Sequence, residues 1–123
     1  MQLHYLDFDY SEDDAGNGVF DAMAAAWPEQ LAALHAEVAT VLGWAHAQFG
    51  EPGPIDEEAD WDVDLGSLVE TSERQTLAFD PVAQRLTAVP GAPGQPRHTV
   101  SVSISGRPAF CAALRERFGL DGP

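Results

Sequence analysis

The sequence predicts an α+β domain, with a mainly antiparallel sheet of about five or six strands and two amphipathic helices packed on one face. Three observations carry this. Apolar and polar residues alternate over residues 4–10, 60–65 and 98–105, the period of half-buried strands. Apolar residues recur at three- and four-residue steps over 29–49 and again after Pro108, the period of helices. Most strand candidates are joined by short turn-rich segments, which favour hairpins over long parallel crossovers.

Within 4–10, His4, Leu6, Phe8 and Tyr10 fall on one face and Tyr5, Asp7 and Asp9 on the other, so the chain is expected to begin with a strand. The run 11–18 is a turn ending in Asn17-Gly18, a favoured hairpin dipeptide because both residues tolerate positive φ. Residues 19–25 then return as a second strand, with a short helix as the alternative for so alanine-rich a stretch. Pro28 suits the first turn of a helix, where no N–H is needed. Leu31, Leu34, Val38, Val41, Ala45 and Phe49 make one apolar stripe behind it. Gly43 costs about 1 kcal/mol relative to Ala in that helix and is read as room for a close backbone contact beside Trp44. Gly50 and Pro52 stop the helix.

After an acidic Pro/Gly loop over 50–58, Trp61, Val63 and Leu65 alternate with Asp60, Asp62 and Asp64, giving a strand with one apolar and one carboxylate face. Residues 66–73 continue this strand or bend at Gly66. Residues 76–79 and 85–89 form a hairpin around 80–84. Residues 90–96, with three prolines, read as a surface loop. Over 98–105, Val100, Val102 and Ile104 oppose Thr99, Ser101, Ser103 and Ser105, an antiparallel strand with one wet face. Pro108 starts a last helix whose Phe110, Cys111, Leu114 and Phe118 share a face, and Gly119 caps it.

The 123 residues are expected to form a single domain over 1–123. A hydrophobic content of 45% argues against disorder despite the charge. The N-terminus lacks a basic segment followed by an apolar one, so no signal peptide is expected. No apolar run approaches the roughly 20 residues that span a bilayer. Together with Cys111 as the only cysteine, this makes a reduced cytoplasm the default location.

Charge is the most distinctive property. There is no lysine, and the six arginines all lie at or after position 74. Residues 1–73 hold 17 acids and no Lys or Arg, a formal −17; residues 74–123 hold six Arg against three acids, +3, giving the net −14. Nucleic acid and anionic lipid would both be repelled by the first part. A basic protein would be attracted to it.

The candidate binding residues are therefore the acids of two clusters, Asp7, Asp9, Glu12, Asp13 and Asp14, then Asp56, Glu57, Glu58, Asp60, Asp62 and Asp64. Tyr10 and Trp61 are the candidate aromatic anchors. Neither cluster fits the twelve-residue calcium loop. From Asp9, position 6 is Asp14 rather than Gly and position 12 is Phe20; from Asp62, positions 5 and 6 are Gly66 and Ser67. The histidines have no paired spacing: His35 and His46 lie roughly 16 Å apart along one helix. Cys111 sits on an apolar face, where thiols are inert packing. No catalytic, cofactor or metal motif emerges. The expectation is an adaptor- or inhibitor-like module that docks a basic protein. The alternatives are a small-ligand binder or small enzyme with a sheet–helix pocket, and a divalent-cation-dependent structural module. The sequence does not set the oligomeric state.

Overall fold

The computed structural model describes residues 2–120. Among them the elements run β1 (Asp9–Glu12), β2 (Gly18–Ala26), α1 (Pro28–Phe49), a 3-10 turn (Ile55–Glu57), β3 (Trp61–Glu70), β4 (Glu73–Asp80), β5 (Arg85–Pro93), β6 (Arg97–Gly106) and α2 (Pro108–Phe118). All strand pairings are antiparallel, so the α+β class stands. The six strands divide, however: β1-β2-β6-β3 form one sheet and β4-β5 a separate two-stranded one.

Strand alternation sorts the four-stranded sheet into two faces. Phe20, Ala22 and Ala24 of β2 stand opposite Ile104, Val102 and Val100 of β6, and Val63 pairs with Ile104 from the other side. This face is the core. It receives Leu34, Val38, Val41 and Ala45 from α1 and Phe110, Cys111, Leu114 and Phe118 from α2. Residues 19–25 belong to a strand and not a helix, because their small alanines are buried at alternate positions beneath the two helices. The other face carries no helix.

The first residues of the chain depart from expectation. Only Asp9 and Tyr10 of the stretch 4–10 are in a strand. The N–H groups of His4, Tyr5 and Leu6 instead donate to the carboxylate of Glu37 on α1, at 2.5, 2.8 and 2.8 Å. A backbone whose donors converge on one side chain cannot also form a sheet ladder. Leu6 is still buried, as the alternation requires.

Two glycines explain how close α2 lies. Gly18, Gly106 and Trp61 stand in one row across β2, β6 and β3. A Cβ on Gly106 would overlap the Phe110 ring, and one on Gly18 would lie 2.5 Å from Tyr10 Cε1 and 2.8 Å from Cys111 Sγ. Gly43 has no such role: a Cβ there would meet nothing within 4 Å. The close contact expected beside Trp44 is absent at that position. Trp44 packs its ring against Phe49, Phe110 and Phe118 instead.

β4 and β5 form an arm that continues outward from the β3–β6 ladder. Its neck is closed by Gly94 N–H donating to Ser72 O at 2.7 Å. At its tip Asp80 Oδ1 accepts the N–H groups of Val82 and Ala83 at 3.0 and 3.3 Å, an Asx turn. Residues 90–93, expected in a loop, belong to β5. Every residue from Asp64 to Gln95 is exposed. No helix among the described residues is long and apolar enough to cross a membrane.

Candidate functional site: an acidic sheet face and cleft

The two acidic clusters sit at opposite edges of the sheet, on β1 and β3, yet the helix-free face presents both. Asp9 pairs with Asp21, Asp21 with Ser103, and Ser103 with Asp64, so four strands in succession contribute to one transverse row. The next row reads Ser11, Val19, Ser105 and Asp62. Neighbouring strands are about 4.8 Å apart, so each row spans roughly 14 Å. Small serines on the central strand leave the carboxylates standing above it. Met23, 73% exposed, continues the face one row further, with Ser101 and Gly66 beside it.

At one end the face deepens into a cleft of about 610 Å³. Its walls bring Glu12 and Asp13 from the β1–β2 hairpin together with Asp56 from the 3-10 turn and Asp62 from β3. Ser11 and Ser105 line it between them. The hairpin wall is built by Asp13, whose Oδ1 accepts the N–H groups of Ala15 and Asn17 at 2.9 and 3.0 Å. Gly16 supplies the positive φ (85°) that this turn requires.

The opposite wall is held by Arg107. Its Nε donates to Ala59 O at 3.0 Å and its Nη2 to Ile55 O at 3.3 Å, while its backbone N–H donates to Asp60 O at 3.0 Å. The guanidinium is thus engaged by loop carbonyls, and it fixes the segment that carries Asp56, Glu57 and Glu58. Arg107 itself lies just outside α2. It is the residue preceding α2, where the chain turns from β6 and can reach back to the loop.

The predicted residues therefore have different fates. Glu12, Asp13, Asp56 and Asp62 share the cleft, and Asp9 and Asp64 share the adjoining row. Asp7, Asp14, Glu57, Glu58 and Asp60 are exposed but do not line the cleft. Tyr10 points to the core face, half-buried 4.6 Å from the Phe20 ring, with its hydroxyl donating to Glu12 at 2.7 Å. The Arg115 guanidinium lies 4.7 Å from the centre of the Tyr10 ring. Trp61 is fully buried and is no surface anchor. It stacks on Phe110 with rings 4° from parallel and donates its indole N–H to Gly50 O at 2.9 Å. The alternation that set its apolar face against Asp60 and Asp62 already directed it inward.

Asp21 was missed, although it completes the acidic row. The signal was present: Val19, Asp21, Met23 and Ala25 alternate with Phe20, Ala22 and Ala24. It is visible only once residues 19–25 are taken as strand. Elsewhere, Cys111 is buried, its thiol donating to Gly106 O at 3.3 Å, and burial pushes its pKa up. Among the described residues no group of three or more His, Cys, Asp or Glu side chains is placed to hold a metal ion.

Comparisons with protein-family models, with curated proteins and with solved structures give no match to this chain.

Proposed function

We propose that this chain is a docking module that binds a basic protein surface through the open face of its four-stranded sheet. One observation carries the reading: Asp9, Asp21 and Asp64 occupy a single row on a face that no helix covers. Asp9 and Asp21 are direct cross-strand partners, and like charges so placed destabilise a sheet by roughly 0.2–1 kcal/mol. An Arg- or Lys-rich partner would relieve that repulsion. The cleft beside the row would receive one or two basic side chains between Glu12, Asp13, Asp56 and Asp62, and Met23 offers an adaptable apolar contact at the margin.

The test is capture of binding proteins by the immobilised chain at low and high salt, followed by purification of any retained protein. The expected ligand is basic. Its binding falls steeply as ionic strength rises from about 0.1 to about 1 M, over which the Debye length shortens from about 10 to about 3 Å. Binding is lost in the triple variant Asp9→Asn, Asp21→Asn, Asp64→Asn. A retained protein that ignores both salt and these substitutions overturns the proposal.

A further inference from the structure

The face left open by the helices is not acidic throughout. Its side chains succeed one another in transverse rows about 6.7 Å apart along the strands. The acids occupy the rows of Ser105 and Ser103. The next row holds Met23, Ser101 and Gly66, and the one after it Ala25, Thr99 and Leu68. Met23 and Leu68 are exposed by 73% and 56%. Beyond them Arg97 stands opposite Glu70, and its guanidinium lies 5.2 Å from the centre of the exposed Trp27 ring. From Asp62 to Glu70 the face therefore runs roughly 27 Å, from acids, through apolar side chains, to an end where the charges balance.

The face is also hollow along its middle. After the acidic cleft comes a depression of about 400 Å³ lined by Asp21, Met23, Asp64, Gly66 and Ser103, and then a recess of about 470 Å³ lined by Trp27, Glu70, Ser72, Gln95 and Arg97. Small side chains of β6, Ser105, Ser103, Ser101 and Thr99, form the floor. β2 and β3 flank β6, about 9.6 Å apart. That is close to the width of an α-helix, about 10–12 Å with its side chains. The backbone groups beneath are already paired in the two ladders. A segment laid on this face must therefore satisfy its own N–H and C=O groups, as a helix does and an extended strand does not.

Given the reading above that this face docks a basic protein, we infer that the docked element is an amphipathic helix of about 18 residues lying along β6, basic at one end of its stripe and apolar over the rest. Charge complementarity sets that order. Arg or Lys side chains lie over Asp9, Asp21, Asp62 and Asp64 and gain nothing over Met23, Leu68 and Trp27. Apolar side chains at i, i+3 or i+4, and i+7 suit the second group and meet only carboxylates at the first. The Ser103 and Thr99 rows are about 13 Å apart, or about nine helical residues, so the basic and apolar groups of the partner are offset by roughly that many positions. With α1 and α2 on the other face, the docked helix completes a helix–sheet–helix sandwich.

Synthetic alanine-based helical peptides of about 18 residues test this on the full chain. In a block peptide the arginines precede the leucines along one stripe; in its isomer the same residues alternate. The block peptide is expected to bind with a Kd on the order of 10 µM at about 0.1 M salt. The isomer binds at least about 10-fold more weakly, and a block peptide with a central proline does not bind. Binding shifts the Trp27 emission to the blue, read as the difference between wild type and Trp27→Phe. Met23→Ser with Leu68→Ser weakens the block peptide at least about 10-fold but leaves unchanged the binding of a peptide carrying Ala in place of Leu. Both positions are exposed, and thermal melting verifies that the core remains folded. A block peptide that fails to bind at on the order of 100 µM, binds no better than its isomer or its proline variant, or ignores the Met23 and Leu68 substitutions overturns the helical mode. If binding is still lost in Asp9→Asn, Asp21→Asn, Asp64→Asn, the docking reading survives that failure. Peptide binding indifferent to those three substitutions and to salt overturns the docking reading as well.

Discussion

Glu37 accepts the backbone N–H of Leu6 at 2.8 Å, a buried bond between positions 31 residues apart. The same carboxylate takes the N–H groups of His4 and Tyr5, so one side chain of α1 satisfies three successive donors of the N-terminal segment. The segment is held by a charge-assisted cluster where a sheet ladder would otherwise be needed.

Glu37→Ala leaves those donors without their acceptor. A buried donor left unsatisfied costs about 1–3 kcal/mol, and because the segment can detach to find water, the expected loss is about 2–3 kcal/mol in total. Denaturant unfolding measures it. Amide exchange at His4, Tyr5 and Leu6 should accelerate well beyond that of β2. A variant with native stability and native protection would show that the cluster contributes nothing.

Two glycine-to-alanine substitutions are expected to have opposite signs. Gly43→Ala, on the exposed side of α1 with open space around it, gains up to about 1 kcal/mol from helix propensity. Gly106→Ala drives a methyl group into the Phe110 ring and costs about 1–3 kcal/mol by overpacking. Paired thermal melts of the two variants check this.

Asp21→Asn removes the charge facing Asp9 across the β1–β2 ladder. It is expected to stabilise the fold by roughly 0.2–1 kcal/mol, with the gain shrinking at high salt, while weakening the capture of a basic ligand. A denaturant series at two salt concentrations reads the first effect. Destabilisation at low salt would show that the Asp21 carboxylate has a favourable partner that outweighs its repulsion from Asp9.

The Tyr10 phenol is pushed up to about 12 by its hydrogen bond to Glu12 and by partial burial. An unfolded tyrosine ionises near 10. Between about 10 and 12 the folded chain keeps a proton that the unfolded chain has lost, so the stabilisation is complete below pH 10 and fades as pH rises through that window. Glu12→Gln should bring the ionisation of Tyr10 downward, as followed by ultraviolet absorbance of the phenolate. An unmoved transition would assign the shift to burial alone.

Much of the fold was legible because periodicity reports burial. The stripe from Leu31 to Phe49, the alternation around Val102 and the glycine caps Gly50 and Gly119 all mark elements found where expected. The failures share one cause: they depend on a partner distant in sequence. Nothing local to His4, Tyr5 and Leu6 announces Glu37. Nothing near Gly43 distinguishes an empty surface from a packed one. The hairpin over 76–79 and 85–89 was legible as well, but its separation from the four-stranded sheet was not, because strands exposed on both faces impose no pattern that burial could enforce. At the candidate site the individual acids were visible, but their union was not. It required knowing that β6 would enter the sheet between β2 and β3 with its serines outward.

The closed neck at Ser72 and Gly94 has a consequence for the molecule's modularity. Glu70 and Arg97 are already ladder partners immediately below it. A two-residue Asn-Gly turn joining those positions would suit the geometry of a tight hairpin and would leave every buried residue of the four-stranded core in place. The segment between them is therefore a cassette: it can be shortened, exchanged or grafted at a natural seam while the acidic face of the four-stranded sheet stays as it is.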